Sequence, residues 1–172
     1  MDTSAHASGD ISHAAPDSNQ DLLSVVSAST TCKLVRMGVV TGEITVRTQG
    51  NNDVVDLGTT VADWLAATEA DSGTLVVFCP HTTAGITALE FEPGANRDLG
   101  DLLDRLVPAE SEYHHNKLDT NGHAHARAAL MGPSVHVPVV DREPALGSWQ
   151  SIALVDFDDR PRARRVVLQL VH

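Results

Sequence analysis

From residue 30 onward the hydrophobic positions fall into short β-branched runs, some alternating with polar residues and some continuous, as in half-buried and fully buried strands. Residues 30–37 and 43–48 predict two strands, separated by Gly38 and Thr41-Gly42. Residues 74–79, 86–89, 135–140, 151–157 and 166–171 predict further strands. Three stretches change to helical spacing. Val61, Trp64 and Leu65 follow a Thr60 cap; Leu99, Leu102, Leu103 and Leu106 end at Pro108; and residues 124–131 are stopped by Gly132-Pro133. About seven strands and three helices in irregular order predict an α+β fold with a mainly antiparallel sheet or sandwich, because parallel strands would need a crossover after nearly every strand. Residues 1–28 show no sustained periodicity and are expected to form a flexible N-terminal tail in which His6 and His13 are solvated, leaving residues 29–172 as a single domain.

Composition narrows the function more than the fold. With 3% aromatic residues, Val, Leu, Ile and Ala must fill the core. A net charge of -11 opposes binding to nucleic acid or to an anionic membrane surface, both of which need basic clusters. Cys32 and Cys79 lie in apolar surroundings, as small buried thiols do. With no long apolar run and no apolar signal segment at the N-terminus, a soluble cytoplasmic protein is expected.

Residues 113–131 hold four of the nine histidines, and imidazole is both the commonest metal ligand and the side chain that titrates nearest neutral pH. His115 would precede the Asn121-Gly122 turn, His123 would lie on it, and His125 would sit in a first helical turn. His81, at the end of an apolar strand, is the candidate third ligand from elsewhere in the chain. Three neutral imidazoles would hold a divalent ion, zinc above all, with a fourth position for water. The plainer alternative has His81 capping a strand and the histidine-rich loop merely polar, and spacing leaves both readings open.

Several motifs then point one way. Pro80-His81-Thr82-Thr83-Ala84-Gly85-Ile86-Thr87, Glu90 with Glu92-Pro93-Gly94 and Asp98, Tyr113-x-His115-Asn116, Ala124-His125, Met131-Gly132-Pro133-Ser134 and Leu146-Gly147-Ser148-Trp149-Gln150 occur in the order and approximate spacing of the YjbQ-like family. The chain resembles that family from about residue 30 to its C-terminus. The resemblance implies a compact α+β subunit, a homotrimer, and a site lined by His81, His115 and His125. It also implies the family's label of secondary thiamine-phosphate synthase. Two places depart from the pattern. Arg142 replaces a turn glycine and Pro144 an aliphatic residue, so the turn before Leu146 must be rebuilt. The acidic-to-basic stretch 156–164 carries Asp156 for Glu and one extra residue.

Glu90 is the candidate general base, and Asp98 the candidate partner that would orient a ligating imidazole. Thr82, Thr83, Trp149, Gln150, Arg162 and Arg164 are the candidate substrate-binding residues. Trp149 could offer its indole face to a planar ring, although a core-anchor role is the commoner one in an aromatic-poor chain. Arg160, Arg162, Arg164 and Arg165 could bind phosphate oxygens, or could pair with Asp156, Asp158 and Asp159 beside them. Two functions follow. One is a metal-dependent enzyme on a small phosphorylated metabolite, with thiamine-phosphate formation as the family-implied reaction; the other is a trimeric module that binds metal or metabolite without turnover.

Overall fold

In the strand Gln150–Asp156, five consecutive residues from Ile152 to Asp156 are buried, so both faces of that strand must be covered. The rest of the fold supplies the two covers. A computed structural model describes residues 38–172; the strand expected at residues 30–37, the tail 1–28 and Cys32 lie outside the described residues.

The elements in chain order are β1 (Val39–Thr48), β2 (Asp53–Asp56), α1 (Gly58–Ala66), β3 (Gly73–Phe78), β4 (Ala84–Glu90), α2 (Pro93–Leu106), a 3-10 helix (His114–Lys117), α3 (Gly122–Met131), β5 (Ser134–Val140), β6 (Glu143–Pro144), β7 (Gln150–Asp156) and β8 (Arg162–Val171). All strand pairs are antiparallel. They form a five-stranded sheet in the order β1-β8-β3-β5-β6 and a three-stranded sheet in the order β2-β7-β4. The described residues thus form an α+β domain of antiparallel sheets with three helices, as the hydrophobic pattern predicts.

The two sheets face each other. Leu75 and Val77 of β3, Val137 and Val139 of β5, and Val166, Leu168 and Leu170 of β8 meet Ile86 of β4 and Ile152 and Leu154 of β7, with Leu57, Val61 and Leu65 of the α1 segment closing one side. On the far side of β7, Val155 and Phe157 pack with Leu103 of α2 and Ala124 and Ala128 of α3. The molecule is therefore layered sheet on sheet on helices, each apolar face meeting another. Cys79 is a buried free thiol whose pKa burial raises, in keeping with a structural role. Among the described residues, no helix is long and apolar enough to cross a membrane.

Local details differ from expectation for identifiable reasons. Helix α1 starts at Gly58 rather than after Thr60, because the Asp56 carboxylate accepts the Gly58 N–H at 2.8 Å. Strands β2 and β6 are too short to announce themselves by alternation. The rebuilt turn places Asp141 and Arg142 at φ 53° and 68°, left-handed conformations that favour glycine. Arg142 is held there by its N–H donating to the Asp71 carbonyl and its guanidinium pairing with the Asp71 carboxylate, each at 2.8 Å.

Candidate functional site

The β3–β4 loop, the start of α3 and the run into β8 converge on one cleft. His81, Thr82 and Thr83 come from the loop, Asn121 from the N-cap of α3, His125 from its first turn, and Asp158, Arg162 and Arg164 from the β7–β8 connection and β8; together they line a cavity of about 310 Å³. A second cavity of about 340 Å³ shares His81, Thr82 and His125 but is otherwise lined by Ala84, Ala128, Ala129 and Pro133. The two imidazoles therefore stand between a polar compartment and an apolar one. His115, from the 3-10 helix, lies against His125 with ring centroids 4.3 Å apart and planes tilted by 54°.

The floor is a buried ionic network. Arg164 forks onto Asp156 through Nε at 2.7 Å and Nη2 at 2.5 Å, and Nη2 also donates to Thr83 Oγ1 at 2.9 Å. Thr48 donates its hydroxyl to the same Asp156 carboxylate. Asp158 accepts from Arg162 Nε at 2.8 Å and from Thr83 Oγ1 at 3.1 Å. Burial pushes the Asp158 carboxyl upward, but the hydrogen bonds from Arg162, Asp159 and Thr83 outweigh it and hold the group far below the usual carboxylate range. Each arginine in the cleft is thus matched by an aspartate, as the neighbouring acids in the sequence suggest. The first use of these guanidiniums is to hold the loop and strand together.

Above this floor, the Arg165 backbone N–H donates to His81 Nε2 at 2.9 Å. That bond fixes the tautomer, because a neutral imidazole that accepts at Nε2 carries its proton on Nδ1. Burial, reinforced by Arg164 and Arg165, lowers the His81 pKa; burial followed by His115 does the same for His125, and burial followed by Arg127 for His123. All three are neutral near pH 7.

A pH dependence follows. Unfolding returns these imidazoles to the ordinary value of 6.5, so between that value and the lowered folded values the unfolded chain binds more protons. The histidine contribution is complete above 6.5 and is lost as pH falls through it, while the Asp158 contribution is lost only below the ordinary value of 3.8. Urea unfolding measured from pH 8 to 4 should show stability declining from about pH 6.5. The decline should shrink in His123→Gln, and a flat profile down to pH 5 would contradict it.

The candidate residues divide into two groups. His81, Thr82, Thr83, His125, Arg162 and Arg164 share the polar cleft, with His115 against His125. Glu90 and Gln150 face each other at the opposite end of the β4–β7 pair, beside Trp149, while Asp98 lies exposed on α2. Trp149, in the turn just before β7, is 77% exposed, contrary to a core-anchor role. His136 points away from the core face of β5, as its alternation with valines implies.

Sequence reasoning missed two positions. Asn121 reads as half of a turn, but it is 4% exposed, precedes α3 and lines the cleft with its Oδ1 unpartnered. Arg127, which no motif singles out, is 2% exposed and donates to the Val107 carbonyl, to Asn52 Oδ1 and to Asp104. Burial of a cation in an alanine-rich helix has no signature in the local pattern.

The donor set was then tested against a divalent ion. Among the described residues, no group of three or more His, Cys, Asp or Glu is arranged to hold a metal. His81 spends its Nε2 lone pair on Arg165, and a ligand needs that lone pair. The expectation of a metal-dependent enzyme built on His81, His115 and His125 is therefore corrected. The thiamine-phosphate reading falls with it, since the related proteins carry no such activity in their descriptions and one is expressly of unknown function.

Those relatives fix the lineage. Residues 42–172 match the family described as UPF0047 protein YjbQ-like. A UPF0047 protein of Archaeoglobus fulgidus is 37% identical over 127 residues, covering 74% of this chain and 98% of the relative. One of Mycobacterium bovis is 43% identical over 121 residues, covering 69% and 91%. Among solved structures, a YbjQ-like protein of unknown function from Sulfolobus solfataricus superposes with a TM-score of 0.76 at 28% identity, covering 79% of this chain and 99% of that one. A YjbQ/UPF0047 protein from Clostridium acetobutylicum superposes with a TM-score of 0.69 at 35% identity, covering 76% and 99%. With the match spanning every described element from within β1 to the C-terminus, this chain belongs to the YjbQ-like UPF0047 family.

Proposed function

We propose that the chain binds a small oxyanion-bearing metabolite in the polar cleft and moves a proton on it through the paired imidazoles of His115 and His125, without a metal ion. The observation that carries this reading is the pinned tautomer of His81. With Nε2 occupied by the Arg165 N–H, the proton on Nδ1 is a fixed donor, while the terminal guanidinium nitrogens of half-buried Arg162 remain for an anion after Nε has engaged Asp158. Asn121 Oδ1 adds an unpartnered buried acceptor for a hydroxyl or amide on the same ligand. The cavity of about 310 Å³ suits a small metabolite rather than a polymer. We place the activity in the cytoplasm, in keeping with the buried free thiol of Cys79.

Nitrogen-15 NMR of the imidazoles provides the test. His81 should show a protonated Nδ1 and an unprotonated Nε2, and inorganic phosphate or acetate should shift the His81 and His125 resonances while leaving exposed His136 unchanged. Asn121→Leu and Arg162→Ala should each weaken phosphate or acetate binding by about tenfold, in line with loss of one buried or charged hydrogen bond. An Nε2–H tautomer at His81, or no response to either anion, would reject the proposal.

A further inference from the structure

We infer that residues 108–120 form a lid hinged at Val107 and Asn121, which lifts as one piece and carries His115 off His125, so that the imidazole pair is assembled only when the lid is shut. The inference concerns the regulation of the same cleft and rests on the reading above only for the part that the pair plays in it.

The two ends of this segment are held far more firmly than its middle. At one end, buried Arg127 donates to the Val107 carbonyl through Nε at 3.0 Å and through Nη2 at 2.7 Å. At the other, Asn121 is 4% exposed and stands at the N-cap of α3. Between them no residue is buried, and only Tyr113 and His115 are half-buried. Residues 111–117 curl around a cavity of about 640 Å³ lined by Ser111, Glu112, Tyr113, His114, Asn116 and Lys117, all of them from the segment itself. A stretch with anchored ends and few buried contacts is where local opening costs least.

The segment is nevertheless stiff within itself. The Asn116 N–H donates to the Tyr113 carbonyl at 3.0 Å, the Leu118 and Asp119 N–H groups donate to the His115 carbonyl at 2.8 and 3.3 Å, and the Tyr113 hydroxyl donates to the Pro108 carbonyl at 2.7 Å. Movement is therefore about the ends, with His115 carried along. Tyr113 is the latch. Its ring lies over His123, with centroids 6.4 Å apart, and against Gly122, where a Cβ would come within 2.5 Å of Tyr113 Cβ and 2.6 Å of Asn116 Oδ1. The absence of a side chain at Gly122 is what lets the lid seat. Among the described residues, the other fastenings are the Gly122 N–H donating to Asn116 Oδ1 and Thr120 Oγ1 donating to Asp159, each at 3.0 Å, and the His115 ring on His125.

Shutting the lid has a cost as well as a gain. His123 is 7% exposed and its Nδ1 has no partner. A buried unpaired polar atom opposes the state that buries it, and lifting Tyr113 admits water to that atom. The seated ring and the stranded nitrogen pull against each other, which keeps both states within reach, as a gate requires. A ligand enters the cleft while the lid is up, and shutting it returns His115 to His125 beside the bound molecule.

Relaxation-dispersion NMR of the full chain, without ligand, tests this on the microsecond-to-millisecond scale on which lids move. The His115 ring and the Asn116 and Leu118 amides should share one exchange rate, while the β8 amides show none. Tyr113→Ala should raise the open fraction about threefold to tenfold, the worth of one aromatic contact, and move the His115 signals toward those of an unstacked imidazole. Gly122→Ala, whose methyl displaces the ring, should act in the same direction. Unrelated rates within the lid, no exchange in either the parent or Tyr113→Ala, or an undiminished His115–His125 ring contact in both variants would overturn the inference. Inorganic phosphate, added afterwards, reports on the oxyanion reading separately: its failure to bind rejects that reading and leaves the ligand-free result standing.

Discussion

Arg164→Met should lower the stability of the domain by about 3–5 kcal/mol, the cost of leaving a buried carboxylate without its partner. Asp156 is fully buried, and the arginine supplies it with two charge-assisted hydrogen bonds. Methionine fills much of the same volume, so the loss reports the stranded charge rather than a cavity. The paired change Asp156→Leu with Arg164→Met should recover most of it, because removing both charges also removes both desolvation costs. Urea unfolding measures all three proteins. A single-variant loss below about 1 kcal/mol would mean that water reaches Asp156 and that the network is not the closed floor described. The site should respond in parallel, since Thr83 and the Arg165 N–H that pins His81 are tied to this strand.

Phe157→Ala should cost about 3–5 kcal/mol as well, for a different reason. The ring is fully buried among Leu103, Ala124, Ala128 and Val155, and three of those neighbours lie on the helices α2 and α3. Alanine would leave a cavity between layers. Hydrogen exchange should therefore show α3 losing protection well before the β1–β8 ladder, whose core lies on the other side of β7. Equal loss in both regions would show that the helices are not a separable layer. Because His125 rides on α3, its shift should move in this variant.

The fold was legible where hydrophobic spacing was the deciding force. The run 151–157 declared a strand, and its burial on both faces is what the structure adds. Leu99 and Leu103 declared the helix that supplies part of that cover. Where a single hydrogen bond or a short ladder decides, spacing is silent, as at the Asp56 cap on Gly58 and at two-residue β6. In the site, residue types identified His81, His115 and His125 as belonging to one chemistry, yet they misjudged what that chemistry was. A ligand role depends on a free lone pair, and the group that takes it from His81 is a backbone N–H, which every residue but proline has and which no motif can display. Asn121 and Arg127 escaped for a related reason: both are polar residues whose burial depends on distant partners.

The electrically matched floor of the cleft has a kinetic corollary. Two guanidiniums and two carboxylates cancel within the cavity, so an approaching oxyanion feels no long-range attraction from it and instead meets the field of a protein with net charge -11. Such a ligand is repelled at a distance and held only after contact, by oriented N–H groups. Added salt, which slows the capture of anions by basic clefts, would here shorten the reach of the repulsion to about 8 Å at physiological ionic strength and speed the encounter. The protein's surface and its cleft therefore act in opposite senses on the same molecule, and the ionic strength of the surroundings sets the pace at which the cleft fills.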